Sequence, residues 1–394
     1  MEIKTNSAFR IGLLLLVSAL LLTGCWDRRE INDVAFILTT AIDLEPDGKI
    51  RVSMQIPLAG QLGGPGGGGG GSGGDKTYYI DSETGNTIRD AIAKVQARSA
   101  RRLYSAHRRV IIISEALARK YGIREAFEAI ARFPENRITA YMIISKGKAA
   151  DLVNTDPKLE RFSGEAIREL AKSQGRIVIN IKNVAQALSN PNTDPLLLYM
   201  GVKETEGSKD KAAQPEVLGY AHFRQEKMVD AFEGPKSNAV NWLRREPQPY
   251  DYDIRYGKGS ISLEVTEGRT IIEPQFSNDG SISFNVRVMG RVAVMENLSG
   301  ADLTSTRAFR GVRRAAAERI RENLMDTIRQ AQQRKTDPFQ LGMQIWRDYP
   351  RIWKDRYENN WRDKLSEANF DLDVQVDIVQ IGYISKNIAE VTRQ

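Results

Sequence analysis

Cys25 is the only cysteine in a chain of 394 residues, and it closes the sequence Leu22-Thr23-Gly24-Cys25 directly behind the apolar run Ile11 to Leu22. Lys4 and Arg10 precede that run. This is the layout of a secretory signal peptide, with an apolar stretch too short to span a bilayer comfortably. Small Gly24 lets the chain lie extended in a lipoprotein peptidase, and the Cys25 thiol is the nucleophile that takes a diacylglyceryl group as a thioether. The alternative is a coincidental cysteine at the end of an ordinary leader. Either way the fold is constrained: an exported chain, where disulfides are commonly allowed, has no pair of thiols to bridge. Stability must come from buried cores, and 370 residues after a leader of residues 1–24 suffice for two or three domains.

Charge narrows the partner classes without fixing one. The leader holds Lys4, Arg10 and Glu2, so the remainder carries a formal net charge of +6, one less than the whole chain. A basic surface of this size is either a solvated face or an attraction to anionic lipid, worth about 1 kcal/mol per basic residue near the headgroups. Nucleic acid is not expected as a partner of an exported chain. No second apolar run of membrane-spanning length follows the leader.

Hydrophobic patterning then divides the chain. Val34 to Ile42 reads as a buried strand, paired with Ile50 to Ile56 across the turn Glu45-Pro46-Asp47-Gly48. Gly63 to Gly74, glycine except for Pro65 and Ser72, is a flexible loop, because such a run buries no apolar surface to offset its ordering entropy. It is not a phosphate cradle, since Gly74-Asp75-Lys76-Thr77 lacks the required Gly-Lys-Ser/Thr spacing. A helix from Thr87, a strand at Val110 to Ile113, an interrupted helix over 115–132 and a strand at Thr139 to Ser145 give α/β alternation.

The polar stretch 205–215 reads as a linker between an N-terminal α/β region over 25–204 and a C-terminal α+β domain over 216–394. The second half opens on a hairpin, Val217 to Phe223 with Met228 to Phe232. Strands at Ile261 to Val265 and Ile282 to Met295 follow, then helices over 305–334 and 338–367 and a closing strand around Leu372 to Ile378. The fold class is therefore α+β and multi-domain: mixed sheets flanked by helices, with long C-terminal helices and a last strand returning to a sheet.

The chemistry-bearing residues point away from catalysis. His107 and His222 are the only histidines; neither has a nucleophile, carboxylate or metal-ligand spacing beside it, and both read as structural or surface residues. No hydrolase, zinc or kinase signature is present, and no cofactor or metal is implied. Arg310, Arg313, Arg314, Arg319, Arg321, Arg329 and Arg334 lace one long helix whose apolar stripe is Ala315 to Ala317, Ile320, Leu324 and Ile328. That is a solvated face over a core-packed stripe, or a docking face for a partner or anionic lipid. Trp346, Trp353 and Trp361 recur at spacings of 7 and 8, so an unbroken helix would carry all three on one face, as core or as an interface anchor.

Several segments carry a family likeness. Cys25-Trp26-Asp27-Arg28-Arg29-Glu30-Ile31-Asn32-Asp33, followed by an apolar strand ending in Ile42-Asp43, resembles the mature start of the Ger(x)C spore-germination lipoproteins. Gly85 to Ile92, Leu103-Tyr104 with His107, Ile113 to Gly122, Arg137 to Ala140, the hairpin around Tyr220 to Phe232 and the closing helices and strand are similar too. The Gly63 to Gly74 run departs from the family, as does Thr40-Ala41, where members often have a glycine. The resemblance implies a lipid-anchored, non-enzymatic subunit of a nutrient-germinant receptor on the outer surface of the spore inner membrane. Its implied partners are integral-membrane A-type and B-type subunits, and its only implied functional residue is the lipidated Cys25. A solute-binding lipoprotein capturing a small nutrient is the alternative from another class. Against it, the sequence lacks two duplicated lobes.

Overall fold

The computed structural model describes residues 11–12, 33–58, 77–132, 135–173, 177, 179–190, 192–205 and 212–381. Cys25, the Gly63 to Gly74 run and residues 206–211 lie outside them.

The first expected strand is two. Val34–Phe36 (β1) pairs in parallel with Arg102–Tyr104 (β5), whereas Thr39–Leu44 (β2) joins the main sheet. The chain changes sheets between them: the Ile37 amide donates to Tyr104 carbonyl and the Leu38 amide to Gln55 carbonyl. An apolar run shows that a segment is buried, not which neighbour takes each amide.

From β2 the chain runs through Ile50–Pro57 (β3), Tyr78–Gly85 (β4), Val110–Ser114 (β6), Tyr141–Ser145 (β7), Leu196–Thr205 (β8), Ala212–Arg224 (β9) and Lys227–Glu233 (β10). These form one eight-stranded sheet in the order β10-β9-β8-β7-β6-β2-β3-β4. The four central strands are parallel and the flanking pairs antiparallel. β6, Val-Ile-Ile-Ile-Ser, is buried along its whole length, as a parallel strand covered on both faces must be.

Helices supply the crossovers: Ile88–Arg98 (α1), Glu115–Lys120 (α2), Arg124–Ala131 (α3), Ala149–Val153 (α4), Ser163–Ser173 (α5) and Ile181–Ser189 (α6). Local chemistry sets their starts. Thr87 caps α1, its hydroxyl accepting from the Asp90 amide, and Asn180 and Asn183 make a reciprocal capping box on α6. The buried Asp43 carboxylate accepts from the Ala149 and Ala150 amides at 2.6 and 2.9 Å, so the Ile42-Asp43 pair ends its strand by holding the start of α4. Burial pushes the Asp43 carboxyl up, and those two amide donors pull it back.

The expected linker over 205–215 is taken up by strands at both ends: Thr205 closes β8 and Ala212 to Pro215 open β9, and the two strands pair with each other from Leu196–His222 out to Thr205–Ala212. Strands β9 and β10 thus complete the sheet of the N-terminal half.

Pro235–Leu243 (α7) leads to the second sheet, Tyr250–Tyr256 (β11), Gly259–Phe276 (β12), Ile282–Asn297 (β13) and Asn369–Gln380 (β14), in that spatial order. β14 lies parallel to β13, with Phe284 opposite Phe370 and Val286 opposite Leu372. The crossover between them begins with Thr306–Gln333 (α8), whose buried Val312, Ala316, Ile320, Leu324, Ile328 and Ala331, spaced by four and finally three, form one stripe against β11, β14 and α7. Trp242 of α7 lies on Gly268 of β12, where any Cβ would collide with the indole. One hydrophobic core continues through both sheets, from Ala35 to Val376.

The helix expected over 338–367 is segmented into Leu341–Asp348 (α9), Pro350–Ile352 (α10), a π-helical turn at Trp353–Tyr357 and Trp361–Glu367 (α11). Pro350 has no amide to donate and pushes Tyr349 out of the helical region, to φ −135° and ψ 57°. The break re-aims the tryptophans. Trp353 and Trp361 are buried with centroids 5.5 Å apart, while Trp346 remains half exposed.

Candidate functional site

The most elaborate polar cluster among the described residues joins the two sheets. The loop after α8, Arg334 to Gln340, is gripped by residues of the eight-stranded sheet. Asp194, on the approach to β8, has a fully buried side chain and accepts from the Gln225 amide at 2.9 Å, the Asp337 amide at 2.8 Å and the Arg362 guanidinium at 2.8 Å. Asp337, also fully buried, accepts from the Leu341 and Gly342 amides at 3.1 and 2.7 Å and from Trp361 Nε1 at 2.9 Å. Arg244 at the end of α7 donates to the Pro338 carbonyl. At the rim Arg334 pairs with Asp230, and Gln330 donates to the Ala231 carbonyl.

Two carboxylates this close and this dry must divide their neutralisation. Arg362 supplies Asp194 with a counterion. Asp337 has only N–H donors, and burial pushes its carboxyl up while Gly342, Trp361 and Leu341 oppose that rise. The arrangement fixes one relative placement of the sheets; nothing in it resembles a nucleophile aligned with a base.

The histidines occupy different environments. His107 is exposed, with Phe36 edge-on at 4.8 Å. His222 is fully buried in β9, its ring stacked on Phe232 at 4.3 Å and its Nδ1 3.1 Å from Thr336 Oγ1. Burial lowers its pKa to about 3. The folded state therefore holds the ring neutral at pH values where the unfolded chain protonates it, near 6.5. Its stabilising contribution is complete above that value and is lost as pH falls toward 3. In urea unfolding, His222→Gln is expected to remove a dependence of about 1.4 kcal/mol per pH unit between pH 6 and 5 relative to the parent chain. Equal slopes for the two proteins would refute this.

The arginine-laced helix turns its arginines away from the core. Arg310, Arg313, Arg314, Arg319, Arg321, Arg329 and Arg334 are all exposed, and the pairs Arg319–Glu322 and Arg329–Asp326, at 3.5 and 3.7 Å, are of the kind that contributes little. Arg313 reaches the last strand, donating to the Val376 carbonyl. Cys25 lies outside the described residues. Asp194, Asp337 and Arg362 carry no local pattern in the sequence that marks them as partners. Asp194 and Arg362 are separated by 168 positions.

Residues 27–202 match the family described as spore germination protein N-terminal domain, and residues 218–382 match the one described as spore germination B3/GerAC like, C-terminal. The chain is 32% identical to YfkR, a candidate spore germination protein of Bacillus subtilis (strain 168), over 95% of this chain and 97% of that one. It is 26% identical to spore germination protein KC of the same organism, over 94% and 95% of the two chains. The crystal structure of the GerBC protein superposes with a TM-score of 0.58 at 20% identity, covering 86% of this chain and 96% of that one, a likeness of fold.

Proposed function

This chain belongs to the Ger(x)C family of spore germination proteins, and on that premise we propose that it is a lipid-anchored, non-enzymatic subunit of a nutrient-germinant receptor complex. The observation that carries the reading is the conjunction of whole-chain family membership with Leu22-Thr23-Gly24-Cys25 behind an apolar leader. In this reading Cys25 takes the lipid, and the folded body lies on the outer surface of the spore inner membrane. Its partners are integral-membrane A-type and B-type receptor subunits.

The body suits a scaffold. Its two sheets share one core and are tied by buried ion-pair and carboxylate contacts at Asp194 and Asp337, so a load applied to one is transmitted to the other. His222, which any acid–base chemistry would favour, is spent on packing against Phe232 and Thr336.

Crosslinking in purified spore membranes tests the assembly. Integral-membrane receptor subunits are expected as the main crosslinked neighbours of the full-length protein. Recovery of this chain uncrosslinked, or only with soluble proteins, would exclude the receptor reading.

A further inference from the structure

A cavity of about 270 Å³ lies inside the N-terminal half, away from the junction, between α1, α3, β2 and the turn that joins β5 to β6. Its apolar wall is Ile42, Ile88, Ile92, Leu103 and Ile130; Arg89, Arg102 and Glu135 line it too, Glu135 paired with Arg102 at 3.2 Å. Three buried polar atoms without hydrogen-bond partners belong to residues that line it: Arg108 Nε, Thr40 Oγ1 and Asn136 Oδ1.

Arg108 is the unusual member. It is 4% exposed, its Nη2 donates to Ser105 Oγ at 2.6 Å, and no carboxylate pairs with it among the described residues. Its neighbour Arg109 is exposed and paired with Glu165. Removing a guanidinium from water without a counterion is unfavourable, and a partner charge usually offsets it. Burial alone accounts for its lowered pKa, to about 10, which leaves it a cation at neutral pH.

We infer that this cavity is a binding site for a small organic monocarboxylate with an apolar tail, its carboxylate on Arg108 and its tail against the isoleucines. The planar guanidinium matches a carboxylate in two parallel hydrogen bonds. The Thr40 hydroxyl, now unpartnered, is a further donor. A volume equal to about nine waters limits the ligand to roughly ten non-hydrogen atoms. The apolar wall disfavours hydrated inorganic anions. Such a site adds small-molecule capture to the assembly role and does not depend on the lipid anchor.

Calorimetric titration of the detergent-purified full-length chain with sodium isovalerate, in chloride-free buffer, tests it. Saturable binding at one site per chain is expected, with none for 3-methylbutanol, which has the same tail and no carboxylate. Arg108→Gln should weaken binding roughly 10- to 100-fold, the range for loss of charged hydrogen bonds. Ala93 is exposed and also lines the cavity, so Ala93→Trp plugs the site without touching the buried arginine and decides the question even if Arg108→Gln does not fold. Absence of saturable heat with isovalerate, equal binding of phosphate or 3-methylbutanol, or undiminished binding in Ala93→Trp would overturn the assignment.

Discussion

Replacing Cys25 by alanine is expected to abolish lipid labelling, release the protein from spore membranes and impair nutrient-triggered germination. Two acyl chains of a diacylglyceryl group contribute about 0.8 kcal/mol for each buried CH₂, enough for stable anchoring where one chain is marginal. Without them, adhesion rests on a net charge of +6, a long-range attraction screened within about 8 Å at physiological salt. Anchoring confines the folded body to the membrane surface and so raises its effective concentration beside integral subunits. Labelling with a palmitate analogue, membrane fractionation and the germination response to nutrients read the three steps separately. Wild-type germination from spores in which the alanine variant is no longer membrane-associated would rule out the anchor as part of the mechanism.

The largest effect on stability is expected at the junction. Asp337→Ala removes the acceptor of the Leu341 and Gly342 amides and of the Trp361 indole, leaving three buried donors unmet at once. A loss of about 3–5 kcal/mol in urea unfolding follows, as for other broken buried polar contacts. Asp194→Ala is expected to cost a similar amount, because it strands the Arg362 guanidinium and the Asp337 amide. The pH dependence has a definite sign. Burial raises the folded Asp337 carboxyl, so stability drawn from its neutral form is lost as pH rises through its folded pKa, and Asp337→Asn should flatten that part of the profile.

Much of the architecture was legible because it is local. The all-apolar Val110 to Ile113 predicts a strand, Thr87 a helix start, and the stripe through Ile320, Leu324 and Ile328 a core-facing helix; each is in place. The alternating last strand returns to its sheet, beside β13. Readings failed where two local rules competed. Helical periodicity over 338–367 gave one helix and one tryptophan face, but Pro350 and the π-helical turn divide it, sending Trp346 outward and Trp353 and Trp361 inward.

By itself the sequence carried the expectation of processing at Cys25, the reliance on buried cores in a chain without a second thiol, the α+β class and the family likeness. All of these are written in neighbouring residues or in periodicities of two and about four. The tertiary structure alone decided which charged groups are dry. In Arg108-Arg109 one guanidinium is buried in a cavity and the next is in solvent with Glu165, and Asp194, Asp337 and Arg362 meet across long stretches of chain. The reason is physical: the free energy of a charge depends on the water and partners around it, and folding brings those together from distant segments.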